Sequence, residues 1–374
     1  MYRHDQLAAL LKELRTHRYR LSEKFACIGF DGYVDRIVNA VKYRQNVKKY
    51  QRFDTIAEYV GHLQACAGKS GDIEIVPVAE QLGGNAPIMA QAMAKLGVNS
   101  TCIGTLGDPE LHPVFSCLPE RCKPMSIGEP AQTLALEFND GKIMMGEIAP
   151  LHRVTWESVL QRPGLAELTK QYRLSDVIGI VNWSSLFALD GILQGLIQEV
   201  LPCAGERVAD KFIFVDIADP SARSRGEIQK LMETLREINT MAKVVLGLNR
   251  KEAELVYGAM GHLYENQAQA VLADTIRKES SLYNVVIHTS SGVTGVTEAG
   301  IWEADVFHEP QPYRTTGGGD HFNAGLCTGF MLDLPMAACL QLGNLTAAWF
   351  VRTGQSPSMD ELIAFGERLL PQLI

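Results

Sequence analysis

The chain has 374 residues, of which 46% are hydrophobic and 21% charged, with 35 Lys and Arg against 43 Asp and Glu. A chain of this length buries a sizeable core without disulfides or a structural metal, which excludes intrinsic disorder, collagen-like repeats and small disulfide scaffolds. Its net charge of −8 argues against a sequence-independent grip on nucleic acid, because such binding neutralises phosphates with Lys and Arg.

The N-terminal segment, residues 1–24, is charged throughout and lacks the apolar stretch of a signal peptide. Leu7, Leu10, Leu11 and Leu14 fall on one helical face, which predicts an amphipathic surface helix. No apolar run approaches the ~18 residues that a membrane span needs, so we expect a cytoplasmic protein without a membrane partner. The eight cysteines are scattered without a CxxC pair, which indicates reduced thiols rather than a zinc site.

From residue 25 onward, short apolar runs alternate with helical patterns. The runs that predict strands are FACIGF, STCIGTLGD, DVIGIVNW, FIFVDIAD, KVVLGLN and NVVIHTSSG, and the helical patterns cover residues 84–97, 224–242 and 266–280. Continuous apolar strands separated by helices are typical of a parallel sheet covered on both faces. Ligands of such sheets bind at the carboxyl ends of the strands, where this chain carries Asp31, Asn182, Asp216, Asn249 and the turn 290–292.

Two regions differ from this pattern. Residues 126–148 contain two apolar runs joined by Asn-Asp-Gly, which predicts a β-hairpin. Residues 36–60 are polar and basic, and no strong strand is predicted there. We interpret both regions as additions to one large α/β domain, serving as a lid. The sequence AGKS at residues 67–70 resembles the end of a phosphate loop, but Leu63 stands where its first glycine is required.

The strongest motif is TTGGGDHFNAG at residues 315–325, in which three glycines precede an acid and an apolar helical segment. Glycines let the backbone approach a ligand closely, and the unpaired N–H groups of a helix start favour an anion. The turn is therefore a candidate phosphate site, with Asp320 placed to accept a proton from an attacking hydroxyl. A glycine turn with Asp320 as a helix cap explains the same residues equally well.

Three weaker motifs lie elsewhere in the chain. Asn249 and Glu252 share one face of a helical turn, where they either hold magnesium-bound water and nucleotide phosphate or form a capping box. Residues 83–85, Gly-Gly-Asn, suit either a substrate that contacts backbone N–H groups or a loop with an Asn cap. Of Asp31 and Asp35, we expect one to accept two sugar hydroxyls and the other to be a turn residue.

In series, these motifs resemble those of the ribokinase family, also called the PfkB carbohydrate kinases. TTGGGDHFNAG resembles the family's C-terminal signature D-T-x-G-A-G-D-x-F, LNRKE its N-x-x-E motif, and GGNAPIMAQAMAKLG its N-terminal signature. GTLGD resembles the G-x-x-G-D that follows, and NVVIHTSSGVTGV the strand and glycine loop near the nucleotide. The resemblance covers residues 25–355, and the C-terminal signature is its most specific part.

The resemblance implies an α/β fold with a ribokinase-like three-layer α/β/α core, a mainly parallel central sheet and a small β lid. Residues 1–374 would form one kinase domain, with residues 1–24 as an N-terminal helix and residues 36–82 and 126–150 as lid or lid-associated insertions. It implies ATP as co-substrate, Mg²⁺ as cofactor and a sugar-like acceptor, and it allows a monovalent cation and a homodimer formed through the lid.

The resemblance also assigns roles to individual residues. It implies Asp320 as the catalytic base and the N–H groups of Gly317, Gly318 and Gly319 as the anion hole. The other implied residues are Asn249, Glu252, Ser291, Gly292, Asn344 and Ala348 for the nucleotide, with Asn249 and Glu252 holding magnesium through water, and Asp35, Gly84, Asn85 and Asp31 for the substrate. The stretch Asp219-Pro220 with Arg223 resembles a further family element, D-P-x-x-R.

The sequence departs from the family pattern at several positions. Gly318 replaces the usual alanine, the pair Arg250-Lys251 makes the N-x-x-E motif more basic, and His321 follows Asp320 where a small residue is usual. We interpret His321 as a first-turn residue without a chemical role, with tuning of Asp320 as the alternative. The segment 36–53 carries six cations and no acid, with Asp35 before it and Asp54 after it, so it is either a solvated face or an attractor for an anionic sugar.

The sequence therefore predicts an ATP-dependent kinase that phosphorylates a hydroxyl of a sugar or sugar derivative. Two alternatives remain at this point: a nucleoside kinase of the same family, and a catalytically silent regulator that binds sugar or nucleotide. A silent relative would be expected to lose Asp320 or the glycine run, and this chain retains both.

Overall fold

The computed structural model describes residues 2–373, and these form a main sheet of nine strands, a small sheet of five strands and twelve α-helices. In chain order the strands are β1 Phe25–Gly29, β2 Tyr33–Arg44, β3 Tyr50–Arg52, β4 Ile75–Gly83, β5 Asn99–Gly104, β6 Cys122–Ser126, β7 Ala131–Phe138, β8 Gly141–Glu147, β9 Val177–Val181, β10 Phe212–Asp216, β11 Lys243–Asn249, β12 Asn284–His288, β13 Val293–Thr297 and β14 Gly300–Ala304.

The α-helices are α1 Tyr2–His17, α2 Ile56–Ala65, α3 Asn85–Leu96, α4 Trp156–Gln161, α5 Leu165–Leu174, α6 Leu189–Gly195, α7 Arg225–Asn239, α8 Arg250–Ala259, α9 Gln269–Ser280, α10 Gly318–Met331, α11 Met336–Thr353 and α12 Met359–Leu369. Short 3₁₀ segments cover Arg18–Glu23, Pro113–Cys117, Ala149–Arg153, Leu201–Cys203, Glu206–Asp210, Pro220–Ala222 and Leu370–Leu373, and a π-helical turn covers Leu196–Val200.

The main sheet has the strand order β14-β13-β12-β11-β10-β9-β1-β5-β6. Strands β6 to β12 along this order are parallel, and β13 and β14 close one edge as antiparallel strands. Every residue of β9 is buried, as expected for a strand that helices cover on both sides. The six strands predicted from continuous apolar runs are confirmed.

Alternate residues of these strands enter two separate cores. Val245 belongs to the core that includes residues of α1, α3, α10, α11 and α12, whereas Val244 and Leu246 belong to the core that includes residues of α4 to α9. The result is the three-layer α/β/α arrangement that the sequence predicts. The N-terminal helix α1 belongs to the first of these layers, with Leu7 and Leu14 fully buried.

The small sheet forms around the long strand β2. This strand pairs with β4 and β3 in antiparallel fashion and with β7 in parallel, and β7 continues into the predicted hairpin with β8. The expectation that residues 36–60 contain no strong strand is therefore wrong. Lys42 and Arg44 make this strand look like a polar loop in the sequence. In the fold these two side chains pair with Glu58 and Glu74, and Val38 of the same strand is buried.

The eight cysteines are free thiols. Five are buried, Cys66 is half-buried, and Cys117 and Cys203 are exposed. Burial raises the pKa of Cys27 to about 12, so this thiol stays protonated. None of the helices described within residues 2–373 is long and apolar enough to cross a membrane.

Candidate active site

The candidate site lies at the carboxyl ends of the central strands of the main sheet. Asp31 follows β1, Asn182 follows β9, Asp216 ends β10 and Asn249 ends β11. These strands are neighbours in the sheet, so parallel pairing brings together polar residues that are far apart in the sequence. The N-terminal half of α10 reaches the same edge, because Asn323 of that helix donates a 2.7 Å hydrogen bond to Asp216.

The glycine turn opens α10 as predicted. Gly317 is the residue before the helix and has a φ of 97°, a left-handed conformation that favours glycine. A Cβ at Gly317 would also lie 3.1 Å from the ring of Phe350. The N–H of Gly318 donates to the carbonyl of Thr315 at 3.0 Å, which closes the turn and occupies one of the three N–H groups expected in the anion hole.

Asp320 lies in the first turn of α10 and is buried. Its Oδ1 accepts a 2.9 Å hydrogen bond from Nδ2 of Asn85, which is 235 positions away. Burial raises the pKa of Asp320 well above its ordinary value, and the charges of Asp216 and Asp31 raise it further. A carboxyl group with a raised pKa is a stronger proton acceptor once a cation or a bound ligand favours its ionised form.

Asp31 anchors the start of α3. Its two oxygens accept hydrogen bonds from the N–H groups of Asn85 at 3.0 Å and Ala86 at 2.8 Å, and from Nδ2 of Asn182 at 2.7 Å. Burial raises its pKa to about 6. With these donors in place, Asp31 positions Asn85, and Gly84 beside it has a φ of 95°. The structure therefore gives Asp31 a supporting geometry and leaves Asp35 as the more open carboxylate.

Asp35 lies on β2 of the small sheet, opposite Gln81 of β4. Burial raises its pKa, while a hydrogen bond with Thr133 and the charge of Arg314 lower it. A Cβ at Gly83 would lie 2.5 Å from the Asp35 carboxyl carbon. Glycine at position 83 thus allows the Asp35 carboxylate to lie flat against the neighbouring strand.

Asn249 and Glu252 form a capping box, which is one of the two arrangements that the sequence predicts for them. The Asn249 N–H donates to Glu252 Oε2 at 2.8 Å, and the Glu252 N–H donates to Asn249 Oδ1 at 3.0 Å. Burial, followed by the charge of Asp216, raises the pKa of Glu252 to about 8. A capping box does not exclude a role toward a hydrated metal, since a buried carboxylate beside another carboxylate is stabilised in its ionised form by a cation.

An apolar-lined cavity of about 400 Å³ adjoins the glycine turn. We call it the first cavity, and Gly318, Gly319, Asn344 and Ala348 are among its lining residues. Asn344 Nδ2 donates to the carbonyl of Asp305 at 3.1 Å. The expected residues Ser291 and Gly292 are not among the lining residues, although Thr289 and Ser290 are. The N–H groups of Ser291 and Gly292 donate to the hydroxyl of Thr289.

Several residues at this site were not predicted from the sequence. Arg314 is half-buried and donates to Gln81 Oε1 at 3.1 Å across 233 positions. Asp216 and Asn182 were placed at the strand ends without a role, and the structure shows them bonded to Asn323 and Asp31. The available sequence signal for Arg314 is a cation three positions before Gly317. Its partner Gln81 is distant in the chain, so the contact between them has no local signal.

His321 is tied to the backbone rather than to Asp320. Its ring nitrogens lie 2.7 Å from the Gly317 carbonyl and 2.8 Å from the Ser356 hydroxyl, and the ring stacks on Phe350 with centroids 3.8 Å apart. Burial lowers its pKa to about 4, so the ring is neutral. These contacts fix the glycine turn against the loop after α11.

The D-P-x-x-R element stabilises the loop after β9 through hydrogen bonds and ring contacts. The buried Arg223 guanidinium donates to the carbonyls of Trp183 at 2.8 Å and Leu186 at 3.0 Å, and lies over the Trp183 and Phe187 rings. Asp219 accepts from Lys251 at 2.7 Å. This element connects the loop that carries Asn182 to α7 and α8.

Comparisons with known proteins agree on one family. A family model described as prokaryotic ketohexokinase matches residues 8–368. A ketohexokinase of Haloferax volcanii is 30% identical over 354 residues, which are 91% of this chain and 90% of that protein.

Solved structures share the fold at lower identity. A probable sugar kinase from Rhizobium etli superposes with a TM-score of 0.64 at 16% identity, over 95% of this chain and all of that chain. The ribokinase of Arabidopsis thaliana, complexed with ribose and ATP, has a TM-score of 0.64 at 12% identity, over 92% of this chain and 99% of the other. These two likenesses support the ribokinase-like fold predicted from the motifs.

Proposed function

Because this sugar kinase belongs to the prokaryotic ketohexokinase family, we propose that it transfers the γ-phosphoryl group of ATP to a hydroxyl of a ketohexose. The observation that supports the proposal best is the placement of Asp320. It is buried in the first turn of α10, is hydrogen-bonded to Asn85, and directly follows Gly318 and Gly319, which line the first cavity. Proton acceptor, phosphate-binding turn and nucleotide-sized cavity thus converge at one helix start.

In the proposed reaction, the acceptor hydroxyl oxygen forms a bond to the γ-phosphorus as the bond from that phosphorus to the bridging oxygen of ADP breaks. The hydroxyl proton passes to the Asp320 carboxylate, and ADP leaves with the bonding electrons. Free N–H groups of the Gly317–Gly319 turn and the start of α10 stabilise the charge on the transferred group. Phosphoryl transfer asks the protein mainly for such positioning and charge stabilisation.

Magnesium would be held through water by Glu252 and Asn249, where it would neutralise phosphate charge. The donors fit this use, because Mg²⁺ prefers oxygen ligands and keeps several waters. Within residues 2–373 there is no group of three His, Cys, Asp or Glu side chains placed to hold a metal directly. The described residues therefore favour a metal that arrives with the nucleotide over one bound in a protein cage.

The acceptor would lie between the main sheet and the small sheet, which would serve as a lid. Asp35 and Asn85 offer a carboxylate and an amide for sugar hydroxyls, and the N–H groups near Gly84 add donors. Lys42 and Arg44 of the basic segment pair with Glu58 and Glu74, which favours a neutral acceptor over an anionic one. Closure of the small sheet would exclude water and limit ATP hydrolysis.

A coupled ADP-release assay tests the proposal with fructose, glucose, ribose, gluconate and adenosine as acceptors. We expect the highest kcat/KM for the ketohexose and little change of its KM with salt, because a neutral sugar is not steered by charge. Higher kcat/KM for adenosine would instead make the chain a nucleoside kinase. Absence of turnover with every acceptor, together with retained nucleotide binding, would indicate a silent regulator.

A further inference from the structure

A second cavity of about 550 Å³ has no part in the proposed reaction. It lies between β4, α3, the segment Pro113–Cys117 and the loop after α11, and we call it the second cavity. Both cavities reach the start of α10, because Gly318 and Gly319 line the first cavity while His321 lines the second. An occupant of the second cavity would therefore contact the helix that carries Asp320 without entering the nucleotide site.

Arg314 lines the second cavity with a charge that lacks a direct counter-ion. Its Nη1 donates to Gln81 Oε1 and its Nε to the Thr316 carbonyl, both at 3.1 Å. Among residues 2–373, no carboxylate oxygen lies within 4.0 Å of this guanidinium and its Nη2 has no hydrogen-bond partner. The group lies 5.4 Å from the centroid of the Phe350 ring, and Asp35, Glu137 and Asp320 act on it from farther away. A guanidinium with a free donor and no carboxylate partner is well suited to bind an oxyanion.

Lys95 of α3 supplies a second cation to the same lining. It is exposed and forms no ion pair with any residue that the structure describes, and its charge acts on Glu361 only at longer range. Glu80 is the single carboxylate among the described lining residues, and Gln91, Gln355 and Ser356 add neutral polar groups. Two cations against one exposed carboxylate favour an anionic occupant with polar substituents.

We propose that the second cavity binds a small metabolite carrying an oxyanion, a phosphate ester or a carboxylate, through Arg314 and Lys95, and that this binding regulates the site. Arg314 is bonded to Gln81, which pairs with Asp35 across β4 and β2. Recruitment of the Arg314 guanidinium by an anion removes positive charge from Asp35, so the KM for the acceptor changes. Coupling of this kind is reciprocal, so the acceptor also changes the affinity for the anion.

Cys117 provides a readout that does not depend on turnover, so failure of the proposed reaction would not affect it. This exposed thiol lines the second cavity, whereas the other exposed thiol, Cys203, lies outside it. Alkylation by the uncharged reagent N-ethylmaleimide is followed at each cysteine by peptide mass spectrometry. The probes are inorganic phosphate, glycerol 3-phosphate and citrate, with glycerol as the neutral control.

We expect the anion to slow alkylation of Cys117 about tenfold at ten times its dissociation constant, by mass action, and to leave Cys203 unchanged. Lys95→Gln should remove the protection while keeping turnover without added anion, and Arg314→Gln should remove it as well. Protection by glycerol 3-phosphate but not citrate assigns a phosphate ester, and protection by citrate alone assigns a carboxylate. Unchanged Cys117 rates with all three anions at millimolar concentration, or protection that persists in both variants, would overturn the proposal.

Discussion

Charged groups have opposite environments at the carboxyl ends of the main-sheet strands, called the edge below, and on the outer strands of the small sheet. At the edge, the carboxyl groups of Asp320, Asp216 and Glu252 are buried, and burial raises the pKa of each. The charge of Asp216 raises the pKa values of Asp320 and Glu252 further. On the small sheet, Arg44 pairs with Glu74 in solvent, and this hydrogen bond lowers the pKa of Glu74. Buried carboxyl groups without a cationic partner are typical of sites where a ligand or cation supplies the opposite charge. Exposed ion pairs already contain both charges.

The largest effect should come from removing the proton acceptor at the edge. Asp320→Asn keeps the shape of the side chain but takes no proton, so kcat should fall by about 10²- to 10⁴-fold, the usual contribution of a general base. Nucleotide binding, measured by calorimetry, should stay near the wild-type value. Asp274→Asn, a change at a partly buried residue of α9 that pairs with Lys278, is the matched control. Near-normal turnover of Asp320→Asn would show that another group accepts the proton.

The edge of the main sheet was predictable from sequence because its signals are local. Continuous apolar runs identify β9 and β10, and the glycine run with Asp320 identifies the start of α10. The small sheet and the site's supporting contacts were not predictable in this way. β2 carries a basic sequence whose partners lie elsewhere in the chain, and the Arg314–Gln81 bond joins residues 233 positions apart.

The same distinction explains Asp31. The sequence leaves open which of Asp31 and Asp35 contacts substrate, and only the family resemblance implies that role for Asp31. Its position after β1 is as predicted. Its three donors come from Asn85, Ala86 and Asn182, at separations of up to 151 positions. A strand-end carboxylate is thus recognisable from sequence, but whether it faces a ligand or a helix start depends on tertiary contacts.

A smaller effect, confined to one substrate, should follow from crowding Asp35. Gly83→Ala places a methyl group against the Asp35 carboxyl carbon, at 2.5 Å before relaxation, so the carboxylate must move. Displacements of this order reduce catalytic efficiency by up to about 10²-fold, and we expect the acceptor KM to rise while the ATP KM stays constant. Gly61→Ala on α2 meets no atom within 4 Å and serves as the control. An unchanged acceptor KM would place the acceptor away from Asp35.

The ionisation of Glu252 should make the stability of the protein depend on pH. Its pKa rises from 4.5 in the unfolded reference to about 8 in the fold, so the folded protein binds more protons than the unfolded chain between these values. The free energy of unfolding therefore falls as pH rises through this window. In Glu252→Gln, which does not titrate, thermal unfolding should show a shallower decline, and Mg²⁺ with ATP should offset the decline in the wild type. Glu233→Gln, an exposed change on α7, should keep the full decline, and an equal decline in Glu252→Gln would contradict the assignment.

The smallest effect is expected on the small sheet, where the charges are already paired in solvent. Arg44→Gln and Glu74→Gln each remove one member of an exposed pair, and such pairs contribute little to stability. We expect both variants and the double variant to keep the melting midpoint, kcat and the acceptor KM of the wild type, at low and at high salt. A rise of the acceptor KM in Arg44→Gln alone, abolished by salt, would contradict the contrast between the two regions. It would show that Arg44 acts on an anionic acceptor. If the two residues formed only a surface ion pair, loss of Arg44 and loss of Glu74 would have the same effect on KM.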